Sequence, residues 1–161
     1  KRKYNIDMAK KNLDYLRECI KEVKLSCDVI VGFPNETDED FEQTRKFFLD
    51  EGFLHMHIFP YSKRADTVAA SMDNQVPDEV KKKRLYALQE VEKLSKRKIF
   101  ESYILKDCVE VLFETLENGY ACGHTKDFIE IKVKSDVDLG GKLLMVKPLS
   151  FDDSYVYGEL I

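Results

Sequence analysis

The chain has 161 residues, a formal net charge of −4 and a pI near 5.5, with 43% hydrophobic and 35% charged residues. That size and makeup fit one compact globular domain or two small ones, and the acidic balance excludes a global electrostatic pull toward nucleic acid. No apolar run approaches the roughly 20 residues that a membrane-spanning helix needs.

The sequence begins at Lys1 rather than Met, and Lys1-Arg2-Lys3-Tyr4-Asn5 leads into an amphipathic stretch instead of an apolar one. We therefore expect a cytoplasmic protein without a signal peptide, and a piece of a longer polypeptide. Cys19, Cys27, Cys108 and Cys122 show no Cys-x-x-Cys spacing. They read as reduced thiols, with Cys19 and Cys27 buried as small hydrophobes.

Ile6, Leu13, Leu16, Ile20 and Val23 recur at helical spacing, which predicts a helix over 7–21. A strand follows over 27–32. Thr37 is a good N-cap, with Asp38, Glu39 and Asp40 where free backbone N–H groups favour negative charge. That helix should bury Phe41, Phe47 and Phe48 and stop at Gly52, before a second strand over 54–59. Strand, helix and strand in this space predict a βαβ unit with parallel strands. After a loop over 62–76, Pro77 should open a helix carrying Leu85, Leu88, Val91 and Leu94 to about Tyr103. Its exposed face reads as basic, with Lys81, Lys82, Lys83, Arg84, Lys96, Arg97 and Lys98.

Beyond Lys106 the pattern changes to short strands at 109–114, 128–134, 143–146 and 155–157, separated by Asn118-Gly119, Gly140-Gly141 and Asp152-Asp153 turns. Four or five strands in this space describe a small antiparallel barrel. The fold class is thus α/β followed by all-β, with domains 1–104 and 105–161.

Each strand of the first part ends abruptly in Gly, Pro and polar residues: Asp28-Val29-Ile30-Val31-Gly32-Phe33-Pro34-Asn35-Glu36-Thr37, and His55-Met56-His57-Ile58-Phe59-Pro60-Tyr61-Ser62-Lys63-Arg64. Parallel sheets place their chemistry just past such strand ends. Gly32 lets a ligand approach the backbone, and the Glu36 carboxylate can accept bonds from hydroxyl or amine groups; alternatively, the pair is only a tight strand-to-helix turn. Arg64, beside Tyr61 and Ser62, can clamp a carboxylate or a phosphate, or simply brace the loop. His55 and His57 alternate on one strand face and read as packing or substrate contacts, because a metal pair would need further ligands. In the tail, acidic residues outnumber lysines eleven to five from Asp107 onward. If Ile129, Ile131 and Val133 face a core, Phe128, Lys132 and Lys134 point outward together, with Lys126 close by. An exposed aromatic among lysines suits a stacked base and its phosphate, although an ordinary solvated strand face reads the same way.

The segment from Asp28 to Thr37 resembles the DIIVGFPGET stretch of the radical S-adenosylmethionine methylthiotransferases. The second segment, with Thr67, Ala69 and Ala70, is similar to that family's HxFPYSxRxGTxAA. Gly119-Tyr120 and the run from Gly123 to Val133 resemble its TRAM domain, and the resemblance covers nearly the whole chain. It implies the C-terminal part of a radical S-adenosylmethionine (β/α) partial TIM barrel followed by a small TRAM β-barrel that binds RNA. It also implies S-adenosylmethionine near Gly32 and Glu36, tRNA near Tyr61, Ser62 and Arg64, and RNA at Lys126, Phe128, Lys132 and Lys134. The histidines of the second segment are closest to the branch that adds a methylthio group to C2 of N6-threonylcarbamoyladenosine at position 37 of tRNA, with the isopentenyladenosine-modifying and ribosomal-protein branches of the same family as alternatives.

The family's two 4Fe–4S clusters, one of them held by a Cys-x-x-x-Cys-x-x-Cys motif, have no ligand set in this sequence. The chain is therefore expected to supply barrel wall and RNA docking, with no catalytic or metal residue of its own, and to be inactive without an N-terminal part. Ala65 and Asp66 stand where the family has Pro and Gly, and Asn35 replaces another Gly, so the loop after Arg64 is expected to take a path of its own. A stand-alone RNA-binding module is one other reading, and a small ligand-binding βα domain with a dimerising tail is a second. Strands taken from a larger sheet would also expose an edge and an apolar face, which predicts oligomerisation.

Overall fold

The computed structural model describes residues 4–161. Lys1 to Lys3, the start of the polar opening, lie outside the described residues.

Helix α1 (Ile6–Cys19) starts at Asn5, whose side chain accepts the Met8 N–H at 2.9 Å. It is held mainly by charge: Lys10 and Arg17 bond the buried carboxylate of Glu51 at 2.8 and 2.5 Å. Cys19 is exposed, contrary to expectation, because α1 has no fully buried residue. Strands β1 (Ser26–Val31) and β2 (His55–Pro60) pair in parallel, with Asp28 opposite His57 and Ile30 opposite Phe59. Between them runs α2 (Asp38–Glu51), opened by a reciprocal capping box between Thr37 and Asp40 and closed by Gly52 at φ +64°. Phe41 and Phe48 are buried, while Phe47 is half-buried against Phe48 and Phe53.

Helices cover one face of this two-stranded sheet, where Val31 and Met56 join Phe41, Phe48, Leu88 and Val91 in a core. The other face is open. It is mixed instead of apolar, because Ser26, Asp28, His55 and His57 lie among Ile30 and Phe59, which are 55% and 50% exposed.

The loop after β2 contains a short 3-10 turn over Val68–Ser71, capped by Thr67. Helix α3 (Asp78–Tyr103) follows. Lys82, Lys83, Arg97 and Lys98 are exposed as expected, but Arg84 is buried and the Lys81 side chain is only 11% exposed, because both fold back over the end of β1. Leu94 is half exposed, and Ser95 takes the buried position beside it.

Five strands close a barrel in the order β3-β4-β5-β7-β6. They are β3 (Val109–Glu117), β4 (Tyr120–Thr125), β5 (Glu130–Lys134), β6 (Leu143–Phe151) and β7 (Val156–Leu160). Strand β4 was not separately legible, since Gly123 and His124 break its β pattern. The expectation of an antiparallel barrel needs one correction: β5 and β7 pair in parallel, which is how the ring closes. Gly123 lets β4 pass close to the irregularity in β3, because a Cβ there would lie 2.2 Å from the Leu112 carbonyl. Ile129, Ile131 and Val133 are buried as expected. Helix α3 enters this second core as well, through Phe100 and Tyr103.

Candidate functional site

The ends of β1 and β2 come together. The Tyr61 N–H bonds the Val31 carbonyl at 2.8 Å, and the Phe33 and Tyr61 rings meet edge-on at 5.3 Å. Gly32 has φ +71°, and a Cβ there would fall 2.3 Å from Lys81 Cγ. The space a ligand could have used above Gly32 is thus filled by the Lys81 stem, whose ammonium lies 5.6 Å from the Tyr61 ring centre.

The Glu36 carboxylate turns inward. Its Oε2 accepts the Gly32 N–H and the Arg84 guanidinium, the latter at 2.7 Å. Arg84 also bonds the Glu36 carbonyl at 3.2 Å and Asp38 at 2.7 Å, and its guanidinium stacks over the Phe41 ring at 5.5 Å. Burial alone would lower the Arg84 pKa, but the bonds to Asp38 and Glu36 outweigh it and raise the pKa. Arg84 is the residue the sequence hid. It sits in a run of lysines, and only its distance from Glu36 along the fold reveals its role. Two polar atoms remain buried without a hydrogen-bond partner among the described residues: the Tyr61 hydroxyl and Arg84 Nε. Glu36 Oε1 carries no hydrogen bond to a described residue.

Ser62 and Arg64 lie beyond this cluster, both exposed. The Arg64 carbonyl accepts the Thr67 hydroxyl at 2.8 Å, which shapes the loop. Asp66 and Asn35, which replace glycines of the resembled pattern, have φ +63° and +69°. Both therefore keep the left-handed backbone that glycine would supply. Asn35 is held by Asn74, whose side-chain amide bonds its side-chain oxygen at 3.0 Å.

On the barrel, Lys126 and Phe128 do not share the strand of Lys132 and Lys134. Phe128 precedes β5, in a turn where its N–H bonds the Thr125 carbonyl at 2.9 Å, and it is 76% exposed at φ +59°. Tyr103 braces this turn from below, through bonds to Asp127 at 2.6 Å and Thr125 at 3.3 Å, and burial pushes its hydroxyl pKa well up. Lys132 sits 3.6 Å from the centre of the Tyr155 ring, and Tyr155 and Tyr120 both pack edge-on against Tyr157. The sequence does not show this cluster, because Tyr120 and the Tyr155-Val156-Tyr157 segment meet only across the barrel.

All three histidines line one cleft of about 350 Å³ between the open sheet face and the barrel, together with Lys24, Ser26 and Phe128. The His55 and His57 rings lie 6.3 Å apart and nearly parallel. His55 is 3.4 Å from Glu92, and His124 is bonded to Glu114 at 2.6 Å. Among the described residues, no group of three or more His, Cys, Asp or Glu side chains is placed to hold a metal ion, and no helix is long and apolar enough to cross a membrane.

No protein-family model matches the chain. Individual relatives do. The chain is 34% identical, over its full length, to the threonylcarbamoyladenosine tRNA methylthiotransferase MtaB of Bacillus subtilis, of which it covers 37%. It is 35% identical over 99% of its length to a tRNA-2-methylthio-N(6)-dimethylallyladenosine synthase of Aquifex aeolicus, covering 36% of that protein. A synthase of the same name from Thermobifida fusca is 45% identical over 57% of the chain, which is 19% of that relative. The chain thus spans about a third of the length of the full-length matches. Along its whole length, the chain is thus similar to a stretch that makes up about a third of a tRNA methylthiotransferase.

Proposed function

We propose that this chain is the C-terminal part of a radical S-adenosylmethionine methylthiotransferase that adds a methylthio group to C2 of N6-threonylcarbamoyladenosine at position 37 of tRNA. Residues 1–104 form the closing wall of its (β/α) barrel, and residues 105–161 are its TRAM domain. The observation that carries this reading is homology along the whole chain to enzymes named for this chemistry. The open, mixed face beside covered strands supports it, since a barrel wall needs one face free for what the barrel encloses.

S-adenosylmethionine supplies the methyl group and the radical in such enzymes. The Lys81 stem fills the space above Gly32, so the fit rests on atoms to its side: the buried Tyr61 hydroxyl and Glu36 Oε1, neither of which bonds a described residue. Glu36 would accept from its hydroxyl or amine groups, held in orientation by Arg84. The 4Fe–4S clusters do not fit, because these four cysteines provide no closely spaced triad of thiolates. They belong in an N-terminal part of the same polypeptide, without which this chain is inactive. Ser62 and Arg64, exposed past β2, hold the tRNA, and the barrel docks it.

The dimethylallyladenosine reading stands second, because relatives with that name match as well as the threonylcarbamoyladenosine enzyme does. Expressing the complete reading frame in a host without its own methylthiotransferases, then analysing tRNA nucleosides by mass spectrometry, separates the two. The 2-methylthio derivative of threonylcarbamoyladenosine is expected. The dimethylallyl derivative would transfer the assignment to the second reading, and neither product would overturn both.

A further inference from the structure

The cleft with the three histidines and the tyrosine cluster are not separate features. His124 and Glu130 line both the cleft and the neighbouring concavity that contains Lys132 and Tyr155. The register explains the continuity: His124 faces Glu130, Cys122 faces Lys132, Tyr120 faces Lys134, and Lys132 faces Tyr157. Outward side chains of β4, β5 and β7 therefore form one strip from Tyr120 to the cleft, and the open face of the two-stranded sheet continues it through His55 and His57.

We infer that this strip is a track for single-stranded RNA, with the cleft taking one unstacked nucleobase against Phe128. The inference rests on the RNA-docking reading above and adds the path and the stacking residues. Aromatic faces accept any base, and interleaved lysines hold the backbone between them. Lys132 and Lys134 stand among Tyr155, Tyr157 and Tyr120 in this arrangement.

The platform is rigid. The Tyr157 hydroxyl donates to Asp152 at 2.7 Å, and Asp152 also accepts the Ser154 and Tyr155 N–H groups at 2.8 Å, which fixes the turn bearing Tyr155. Phe128 is held in solvent by a hydrogen-bonded turn, in a backbone region that costs an L-residue energy, and such outliers concentrate at ligand clamps. A volume near 350 Å³ is at the lower end for small-ligand pockets, the right scale for one base. A duplex, whose bases are already stacked on each other, could not use these faces.

Fluorescence anisotropy of the 161-residue chain tests this, with labelled single-stranded RNA of about ten nucleotides and the same sequence annealed to its complement. The single strand should bind more tightly than the duplex. Phe128→Ala and Tyr155→Ala should each weaken it about tenfold, while Phe128→Trp retains affinity and Tyr15→Ala, on α1, has no effect. Lys132→Ala should lower the salt slope by about one. Circular dichroism confirms that each variant is folded, which its surface position favours. Wild-type binding that is equal for the duplex, or unchanged by Phe128→Ala and Tyr155→Ala, overturns the track and leaves RNA docking intact. No binding of any RNA at low salt removes the docking reading, and the track with it.

Discussion

Arg84 on α3 and Glu36 in the β1–α2 turn, 48 residues apart in sequence, form a buried ion pair at 2.7 Å that ties the third helix to the end of the first strand. The same carboxylate oxygen closes the turn onto the Gly32 N–H, so one acidic side chain sets both the local bend and the long-range contact. Removing one partner of a buried pair leaves the other charged and unpaired. Arg84→Ala should therefore cost about 3 kcal/mol, measured as a shift in urea midpoint. Arg84→Lys should recover only part of it, because an ammonium cannot reach Glu36 and Asp38 through one planar fork.

Gly32→Ala combines two penalties. A left-handed backbone costs a non-glycine residue roughly 1–2 kcal/mol, and the new methyl group would overlap Lys81 Cγ. The double variant Gly32→Ala, Lys81→Ala should be more stable than Gly32→Ala alone, since it removes the overlap with Cγ and leaves the backbone term and a tight 3.3 Å approach to the Cβ at position 81. Thermal melts of the two check this. Equal melting temperatures would mean that the Lys81 stem moves aside freely.

Glu51 gives the first helix a pH dependence. Burial pushes its carboxyl pKa up, but hydrogen bonds and charge from Lys10 and Arg17 outweigh that and hold it below the ordinary 4.5. A depressed folded-state pKa contributes stability above the unfolded value and loses it as pH falls through the folded value. Glu51→Gln should therefore be less stable than the parent by about 1–3 kcal/mol between roughly pH 5 and 8, and the gap should narrow below pH 4.5. Urea titrations across that range provide the measurement.

The four thiols should separate by reactivity. Burial, reinforced by Asp28 and Glu92, pushes the Cys27 thiol up to about 11, and burial also raises Cys122. Cys19 and Cys108 are exposed. At about pH 8, iodoacetamide should label Cys19 and Cys108 first, as read by peptide mass spectrometry, with Cys27 slowest.

Most of the secondary structure was legible because its signals are local. The Thr37 cap, the stop at Gly52 and the alternation of Ile129, Ile131 and Val133 each act within a few residues. Arg84 was not, since a buried arginine and a solvated one look alike until the chain brings Glu36 and Asp38 to it. Cys19 misled for the opposite reason: small hydrophobes usually pack, but α1 is held by salt bridges at Glu51 and offers little apolar surface to pack against. The parallel β5–β7 contact depends on how the ring closes, which no run of residues records. Of the candidate site, the two strand ends could be read from Gly32 and Tyr61, but a cleft lined by His55, His57 and His124 needs residues from two strands and a barrel.

Helix α3 is 26 residues long without interruption, with Arg84 fastened near one end and Tyr103 at the other. At 1.5 Å per residue those two anchors stand about 28 Å apart on one stiff rod. The helix therefore works as a gauge, setting both the distance and the angular phase between the strand-end cluster and the barrel. Inserting one residue between the anchors would lengthen the rod only slightly but swing the barrel by about 100°. The spacing of the strand-end cluster and the barrel is thus written in the number of residues in a helix that belongs wholly to neither.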